Sequence, residues 1–352
     1  MNLLNFGVFS LAFVVSLVLT PWVIKIYKKR GFVDDPSKSK EAKVIHDKPV
    51  PRGGGIPIFI GILITALIFL PIDKHFIGIF LGAFILLVMG ILDDIYDLNP
   101  KLRLGLGLIA AMMVVGSGIG ISYISNPFGG GVIRLDEPQL SFFLLGKQRS
   151  IWIMADIFAL VWIVAIMNFV NWSKGLDGQL PGTVGIAALV IALLSEKFSA
   201  DITVWNTQQL ALSVAGVYFG FLIWNVYPQK IMPGYGGGSL AGYFLAILAI
   251  LSTTKVGTLI IVLGVPLIDA VLVFFRRIWA KKSPLKGDTR HLHHTLLRMG
   301  WSKKKVAYFY WIVTFFLGVI SLLLNSQEKL YTMTMMLVIF VGFLAWMKHL
   351  KI

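Results

Sequence analysis

The sequence predicts an all-α polytopic membrane protein with about 10–11 transmembrane helices, arranged as a single domain over residues 1–352. Hydrophobic residues make up 57% of the chain and charged residues only 14%, and the mean hydropathy is +0.81. Soluble domains usually contain about 25% charged residues. Apolar runs close to the roughly 20 residues that a bilayer crossing requires recur along the whole chain.

Eleven segments are candidate spans. We expect each to be helical, because lipid offers no hydrogen-bond partners to an unpaired backbone. The first lacks the basic start and small-residue cleavage site of a signal peptide, so we interpret it as a span. The segments are 5–26, 54–71, 76–92, 104–125, 151–170, 182–195, 208–226, 239–252, 257–275, 305–324 and 330–347.

Basic residues predict the orientation of these spans. With eleven spans, one face receives 25 of the 32 Lys and Arg residues, and the positive-inside rule makes that face cytoplasmic. The N-terminus is then outside and the C-terminus inside. Topology and anionic lipid headgroups account for much of the net charge of +15. No nucleic-acid-binding module accompanies it, so nucleic acid is not an expected partner.

The longest outer segment, 126–150, contains a Gly-Gly-Gly turn beside alternating apolar residues. This pattern predicts a small β-hairpin on the outer face. The chain has no cysteine, which excludes disulfides and thiolate chemistry.

Polar motifs collect at the predicted inner ends of the spans. Asp93 and Asp94 end the third span, where adjacent carboxylates indicate a cation, a proton or the metal of a bound phosphate. Their alternative role is to cap the next helix. Asn168 and Asn171 share a helix face, and Lys174 and Asp177 follow among glycines. This second cluster could hold a polar head group or be an ordinary helix exit.

The glycine-rich segment 233–239 precedes the eighth span, where its N–H groups could approach a phosphate. Without the Walker ending it is equally typical of a plain turn. The cytoplasmic loop 276–304 holds a histidine cluster suited to metal, acid–base or phosphate chemistry; its members and neighbours are Asp288, Arg290, His291, His293 and His294.

Three further sets of residues are candidates. The first inner loop ends with His46, Lys48 and Arg52 before three glycines. Asp269 lies within a span and is a functional candidate for that reason. Asp156 lies near an outer end, where it would reach the interface.

In this order, the motifs resemble the polyprenyl-phosphate N-acetylhexosamine-1-phosphate transferase family. That family includes the initiating enzymes of O-antigen and teichoic-acid synthesis and the peptidoglycan enzyme phospho-MurNAc-pentapeptide translocase. The spaced histidines look more like those of the GlcNAc-type initiating enzymes. The resemblance is carried by Pro51-Arg52, Gly90 to Asp94 with Lys101, Asn168 and Asn171 with Asp177-Gly178, Gly238-Ser239, Pro266 and Asp269 with Arg276-Arg277, and His291, His293 and His294.

The resemblance implies a membrane enzyme that transfers a sugar 1-phosphate, GlcNAc-1-phosphate or a related N-acetylhexosamine, from a UDP-sugar to polyprenyl phosphate. UMP would be released at the cytoplasmic face of the inner membrane, and the product would start a cell-envelope glycan such as that of the cell wall or lipopolysaccharide. The implied partners are polyprenyl phosphate, a UDP-sugar and membrane lipid, and a homodimer is compatible with the sequence.

The resemblance also implies roles for the candidate residues. Asp93, Asp94, Asp177 and His293 would be catalytic, and Mg²⁺ would be the cofactor with Asn171 and Asp94 as its ligands. The substrates would be bound by Lys48, Arg52, Asn168, Asn171, Lys174, Asp269, Arg290, His291 and His294.

Two positions depart from the family pattern. Lys174 stands where the family commonly has Asp, and Gly236 stands where the family has an acid that binds Mg²⁺. One hypothesis is that Lys174 partly or wholly replaces Mg²⁺, with the Gly236–Gly238 amides completing a phosphate cradle. The alternative is that Lys174 is a solvated loop residue and that Asp93, Asp94 or Asn171 holds the ion.

Two other functions remain open. A non-catalytic relative would bind polyprenyl phosphate or a nucleotide-sugar without turnover. A transporter or lipid flippase would use the acids for ion coupling, but it should carry polar sites near mid-membrane, whereas almost all of those here lie at one face.

Overall fold

The computed structural model describes residues 3–37, 48–126, 131–144, 147–196, 206–252, 256–283 and 290–349. Over these ranges the chain is mostly helical, which confirms the predicted all-α polytopic class. The helices are α1 Leu3–Arg30, α2 Gly55–Phe69, α3 Lys74–Tyr96, α4 Pro100–Gly116, α5 Ile153–Trp172, α6 Gln179–Glu196, α7 Thr207–Asn225, α8 Gly234–Leu251, α9 Val256–Val262, α10 Gly264–Trp279, α11 Leu292–Arg298, α12 Lys303–Leu323 and α13 Ser326–His349.

Every predicted span contains a helix or a helix pair. In the described part of the chain, eight helices are long and apolar enough to cross a membrane, and a bent pair makes a ninth. The two remaining predicted spans correspond to α2 and α4, of 15 and 17 residues. At about 1.5 Å per residue these are shorter than the roughly 30 Å of a hydrocarbon core. Helix α4 begins at Pro100 because Asn99 caps it.

The predicted span 257–275 is not one straight helix. Helices α9 and α10 meet at an angle of 91°. Pro266 lies in the first turn of α10, where its missing N–H costs no helical hydrogen bond. The bend carries Asp269 to the histidine segment, where it is buried.

The segment between α4 and α5 contains two antiparallel strand pairs, whereas the sequence predicted one hairpin. β3 (Tyr123–Ser125) pairs with β4 (Val132–Arg134), and β5 (Gln139–Leu144) pairs with β6 (Lys147–Trp152). The first pair flanks the predicted glycine turn, most of which lies outside the described residues. The second pair was missed because neither strand alternates throughout: β6 begins with four polar residues and β5 ends with three apolar ones.

Helix α8 is the central element of the bundle. It is buried along nearly its whole length, whereas α13 is almost entirely exposed. Helices α2, α3 and α5 pack around α8, and α1 packs along α7. The small pair β1 (Val33–Asp34) and β2 (Val50–Pro51) joins α1 to α2 at the end of the bundle where α8 begins.

Candidate active site

The crossing of α3 and α8 brings the acid pair to the first turn of α8. Gly90 and Gly236 lie face to face, and a Cβ added at Gly90 would collide with the backbone of Gly236. This close approach lets Asp94 Oδ1 accept a 2.9 Å hydrogen bond from the Tyr235 N–H. Asp94 therefore caps α8, where a negative charge is favoured.

The glycine segment is thus the first turn of a helix, and the phosphate cradle of the Gly236–Gly238 amides stays a prediction. Gly234 begins α8, and the Gly237 N–H already donates to the Pro233 carbonyl at 3.0 Å. The segment reads as a turn in sequence because glycine is a poor helix former. Here the missing side chains allow two helices to touch.

Asp93 is bound by a cation that the sequence analysis missed. Arg103 Nη1 donates to both oxygens of Asp93, at 2.9 and 3.2 Å, and the Leu98 N–H donates to Oδ1 at 3.1 Å. Arg103 lies in the first turns of α4, one tight loop after the acid pair. That short spacing was the available signal, although the sequence gives no direction for the side chain.

Two cations lie close to the Tyr235 ring. The Arg103 guanidinium is 5.0 Å from the ring centroid, and Lys174 Nζ is 4.9 Å from it. Lys174 Nζ also donates to the Gly234 carbonyl at 3.0 Å. The alternative that Lys174 is a solvated loop residue is therefore wrong. Burial lowers the pKa of Lys174 to about 8, and the nearby Asp94 carboxylate opposes that shift.

Asn171 and Asn168 behave differently, although they share a helix. Asn171 Oδ1 is buried against Gly238 and has no hydrogen-bond partner among the described residues. Asn168 donates to the Val164 carbonyl of its own helix at 2.8 Å. Asn171 therefore offers an unused acceptor at the site, and the substrate role of Asn168 stays a prediction.

Asp177 joins the loop after α5 to the loop before α8. Asp177 Oδ2 accepts from the Gln229 N–H at 3.1 Å, and the adjacent Gly178 N–H donates to Asn225 Oδ1 at 2.9 Å. These bonds hold the segment that carries Lys174 against the segment that leads into α8. The predicted catalytic role of Asp177 is not required to explain its burial.

The histidine segment is organised by Asp269. Asp269 Oδ2 lies 2.8 Å from His291 Nδ1, and Oδ1 accepts from the Leu292 N–H at 2.9 Å. The rings of His291 and His293 are parallel, with centroids 5.6 Å apart, and the His294 ring is 4.3 Å from that of His293. Asp269 therefore orients His291 and fixes the start of α11.

Gly175 connects the two clusters. A Cβ added at Gly175 would collide with His293 Nε2, so the loop that holds Lys174 rests directly on the histidine segment. The structure thus joins the acid pair, the Asn171–Asp177 segment and the histidines in one contiguous polar region.

The predicted residues of the first loop lie at its margin. Arg52 Nη2 forms a 2.9 Å ion pair with Asp34 Oδ2, and its charge acts on both Asp94 and Lys174. Lys48 is exposed, as is Arg290. His46 and Asp288 lie outside the described residues.

His293 makes the stability of the fold sensitive to acid. Burial, reinforced by His294 and His291, lowers its pKa well below the usual 6.5. In the unfolded chain this histidine binds a proton below about pH 6.5, whereas in the folded chain it stays neutral. The folded protein is therefore stable above about pH 6.5 and loses stability as the pH falls below that value. We expect the melting temperature of the detergent-solubilised protein to fall less between pH 7.5 and 5 in His293→Gln than in the wild type.

His294→Gln is the matched control for this effect. It removes a neighbouring imidazole but leaves the burial of His293, so it should retain most of the acid sensitivity. Equal sensitivity in His293→Gln and the wild type would contradict the assignment.

The residues present fit a divalent metal ion poorly. Mg²⁺ prefers about six oxygen ligands, usually including one or two carboxylates. Within the described ranges, no group of three or more His, Asp or Glu side chains is placed to hold a metal ion. Asp93 is bound by Arg103, and Asp94 by the Tyr235 N–H beside Lys174. Of these three candidate ligands, Asn171 Oδ1 is the one without a hydrogen-bond partner among the described residues.

Two narrow clefts flank this polar region. One ends at Asp94 and is lined by Tyr27, Ile56, Leu87, Ile91 and the glycines at the helix crossing. The other ends at Asp269 and His291 and is lined by Phe169, Trp172, Pro266 and Tyr310, among others. Their empty volumes are about 150 and 190 Å³ respectively, and each is bordered by a side chain of this polar region.

Comparison with known proteins identifies relatives over most of the chain. Residues 76–253 match the model of glycosyl transferase family 4. A probable undecaprenyl-phosphate N-acetylglucosaminyl 1-phosphate transferase of Bacillus subtilis is 33% identical, over 90% of this chain and 84% of its own length. The undecaprenyl-phosphate alpha-N-acetylglucosaminyl 1-phosphate transferase of Thermotoga maritima is 27% identical, over 81% of this chain and 79% of its own. A phospho-N-acetylmuramoyl-pentapeptide-transferase of Bacillus thuringiensis is 28% identical, over 89% of this chain and 95% of its own.

Proposed function

The chain belongs to glycosyl transferase family 4, and from that membership we propose that it transfers N-acetylglucosamine 1-phosphate from UDP-GlcNAc to undecaprenyl phosphate. An oxygen of the lipid phosphate attacks the sugar-bearing β-phosphorus of the nucleotide. The bond from that phosphorus to the bridging oxygen breaks, and UMP leaves with that oxygen. The product is a lipid diphosphate sugar that starts a cell-envelope glycan.

The observation that carries this proposal is the convergence of Asp94, Lys174 and Arg103 around Tyr235, between the two clefts. Phosphoryl transfer between two anions depends mainly on positioning and charge neutralisation. Lys174 and Arg103 supply positive charge, and Asp94 is placed to take the remaining proton of a lipid phosphate.

Turnover by the purified protein tests the proposal. In nanodiscs with undecaprenyl phosphate, we expect UMP release from UDP-GlcNAc to exceed that from UDP-glucose, with heat-denatured protein as the control. UMP release from UDP-GalNAc but not from UDP-GlcNAc would correct the sugar in the proposal and support the type of reaction. No UMP release from any of a panel of UDP-sugars would contradict the proposal.

A second candidate is a non-catalytic relative that binds the same ligands. The pairing of Asp93 with Arg103 favours it, because a carboxylate held by a protein cation is less available to a substrate. Ligand binding without UMP release would support this candidate.

We further propose that the protein spans the inner membrane and that its polar region faces the cytoplasm. The excess of Lys and Arg on its side of the bundle supports this orientation. Because the chain lacks cysteine, a single introduced cysteine reports on which side of the membrane it lies. Lys29→Cys is at the site end of α1, and Phe143→Cys is on β5 at the opposite end of the bundle. In spheroplasts, a membrane-impermeant maleimide should label Phe143→Cys and spare Lys29→Cys until the membrane is opened. The reverse pattern would overturn the orientation.

A further inference from the structure

Both carboxylates at the start of α8 are already matched by protein groups. Arg103 binds both oxygens of Asp93. Asp94 accepts from the Tyr235 N–H and interacts with the charge of Lys174. Two carboxylates and two cationic side chains therefore lie around Tyr235, and the charge of Arg52 also acts on Asp94 and Lys174.

Lys174 is held at the centre of this set. Its ammonium group donates to the Gly234 carbonyl at 3.0 Å and lies over the Tyr235 ring. Lysine has three N–H donors and no acceptor, so two donors remain for Asp94 and for an incoming anion.

Asn171 lies beside Lys174. Asn171 Oδ1 and Lys174 Cδ both border the point where Gly238 would carry a Cβ, and Lys174 Cδ is 3.1 Å from that point. The lysine stem thus lies beside an amide oxygen, while its ammonium group bonds to a backbone carbonyl and interacts with the charge of the Asp94 carboxylate. Such oxygen donors are those that a metal ion would use, and here the lysine side chain packs among them, with its ammonium group bonded to the Gly234 carbonyl.

We propose that the Lys174 ammonium takes the electrostatic place of a divalent cation, so that the site binds the nucleotide diphosphate and acts on it without a metal ion. The inference rests on the proposed function for the identity of the ligand. A lysine can neutralise a phosphate oxygen as a point charge, and Arg103, 5.0 Å from the Tyr235 ring centroid, adds a second positive charge. Although burial lowers the pKa of Lys174 to about 8, the group remains mostly protonated at pH 7.

The competing explanation is that Lys174 only fastens the loop after α5 to α8. That role predicts a loss of thermal stability when Lys174 is changed, with little effect on diphosphate affinity in the folded fraction. Affinity and melting temperature therefore have to be measured on the same samples.

The first test uses the wild-type protein and UDP as the probe. We expect the affinity for UDP, measured by calorimetry, to differ by less than a factor of about two between excess EDTA and millimolar MgCl₂. We also expect no protein-bound Mn²⁺ by electron paramagnetic resonance. UDP binding that disappears in EDTA and returns with Mg²⁺, together with bound Mn²⁺, would overturn the inference.

The second test uses variants. Lys174→Met should weaken UDP binding in EDTA roughly 10- to 100-fold, the usual cost of losing a hydrogen bond to a charged group. Lys174→Arg should restore most of it, and Lys29→Met, an exposed lysine at the same end of the bundle, should match the wild type. Wild-type affinity for UDP in folded Lys174→Met would show that Lys174 only holds the loop after α5 against α8, and it would overturn the inference. If that variant does not fold, the EDTA comparison on the wild type still decides.

The two proposals fail in different ways. Metal-independent UDP binding through Lys174 without any UMP release would refute the proposed function and leave standing the part of the inference that concerns binding. UMP release that requires Mg²⁺ would do the opposite.

Discussion

Replacement of Asp94 by Asn is expected to lower the rate of UMP release by roughly 10²–10⁴-fold, the range for loss of a positioned acid–base group. In the proposed reaction Asp94 takes the proton of the lipid phosphate, and its charge holds Lys174 protonated beside the nucleotide. An asparagine can do neither.

The fold should survive this change. Asparagine Oδ1 can still accept the hydrogen bond from the Tyr235 N–H, which is the structural contact of Asp94 with α8. The melting temperature and the size-exclusion profile should therefore match those of the wild type. A rate near that of the wild type would show that Asp94 is only a helix cap.

Asp97→Asn provides the matched control. Asp97 ends the same helix, is exposed and has a left-handed backbone with φ of 49°. Asparagine tolerates that conformation well, so the same change of charge a few residues away should leave both turnover and stability intact.

The helices could be predicted from the sequence because hydropathy measures the free energy of transferring side chains out of water. Each of the eleven predicted segments contains helix, and the polar motifs lie at one end of the bundle. The break at Leu263 was not predictable in this way, because α9 and α10 are apolar on both sides of it. Hydropathy measures composition and carries no information on direction.

The sequence predicted many residues of the site but not the contacts between them. The sequence drew attention to Asp93, Lys174 and His291, yet it could not assign Arg103, Tyr235 and Asp269 as their partners. Each of those contacts joins different structural elements, so it depends on how the helices cross. Gly234–Gly238 was interpreted as a loop for the same reason. The helices that pack closely against these glycines come from distant parts of the chain.

Gly90→Ala is expected to separate α3 from α8 and to damage both stability and turnover. The new Cβ would meet the backbone of Gly236, which cannot rotate away as a flexible side chain could. Overpacking of this kind costs about 1–3 kcal/mol, whereas Gly to Ala in a helix gains only about 1 kcal/mol. Because Asp94 lies one turn further along α3, the displacement would also lengthen its hydrogen bond to Tyr235 and lower UMP release.

Two glycine controls separate collision from helix propensity. A Cβ at Gly105, on the exposed face of α4, meets nothing within 4 Å, so Gly105→Ala should be as stable as the wild type or more so. A Cβ at Gly236 meets its nearest atom at 3.5 Å, an ordinary contact, so Gly236→Ala should be tolerated although it faces Gly90 across the same crossing. We expect the melting temperature to fall in Gly90→Ala and to hold in the other two variants. A Gly90→Ala protein as stable as Gly105→Ala would mean that the two helices are further apart than the structure places them, and that Asp94 is not held against α8 by this crossing.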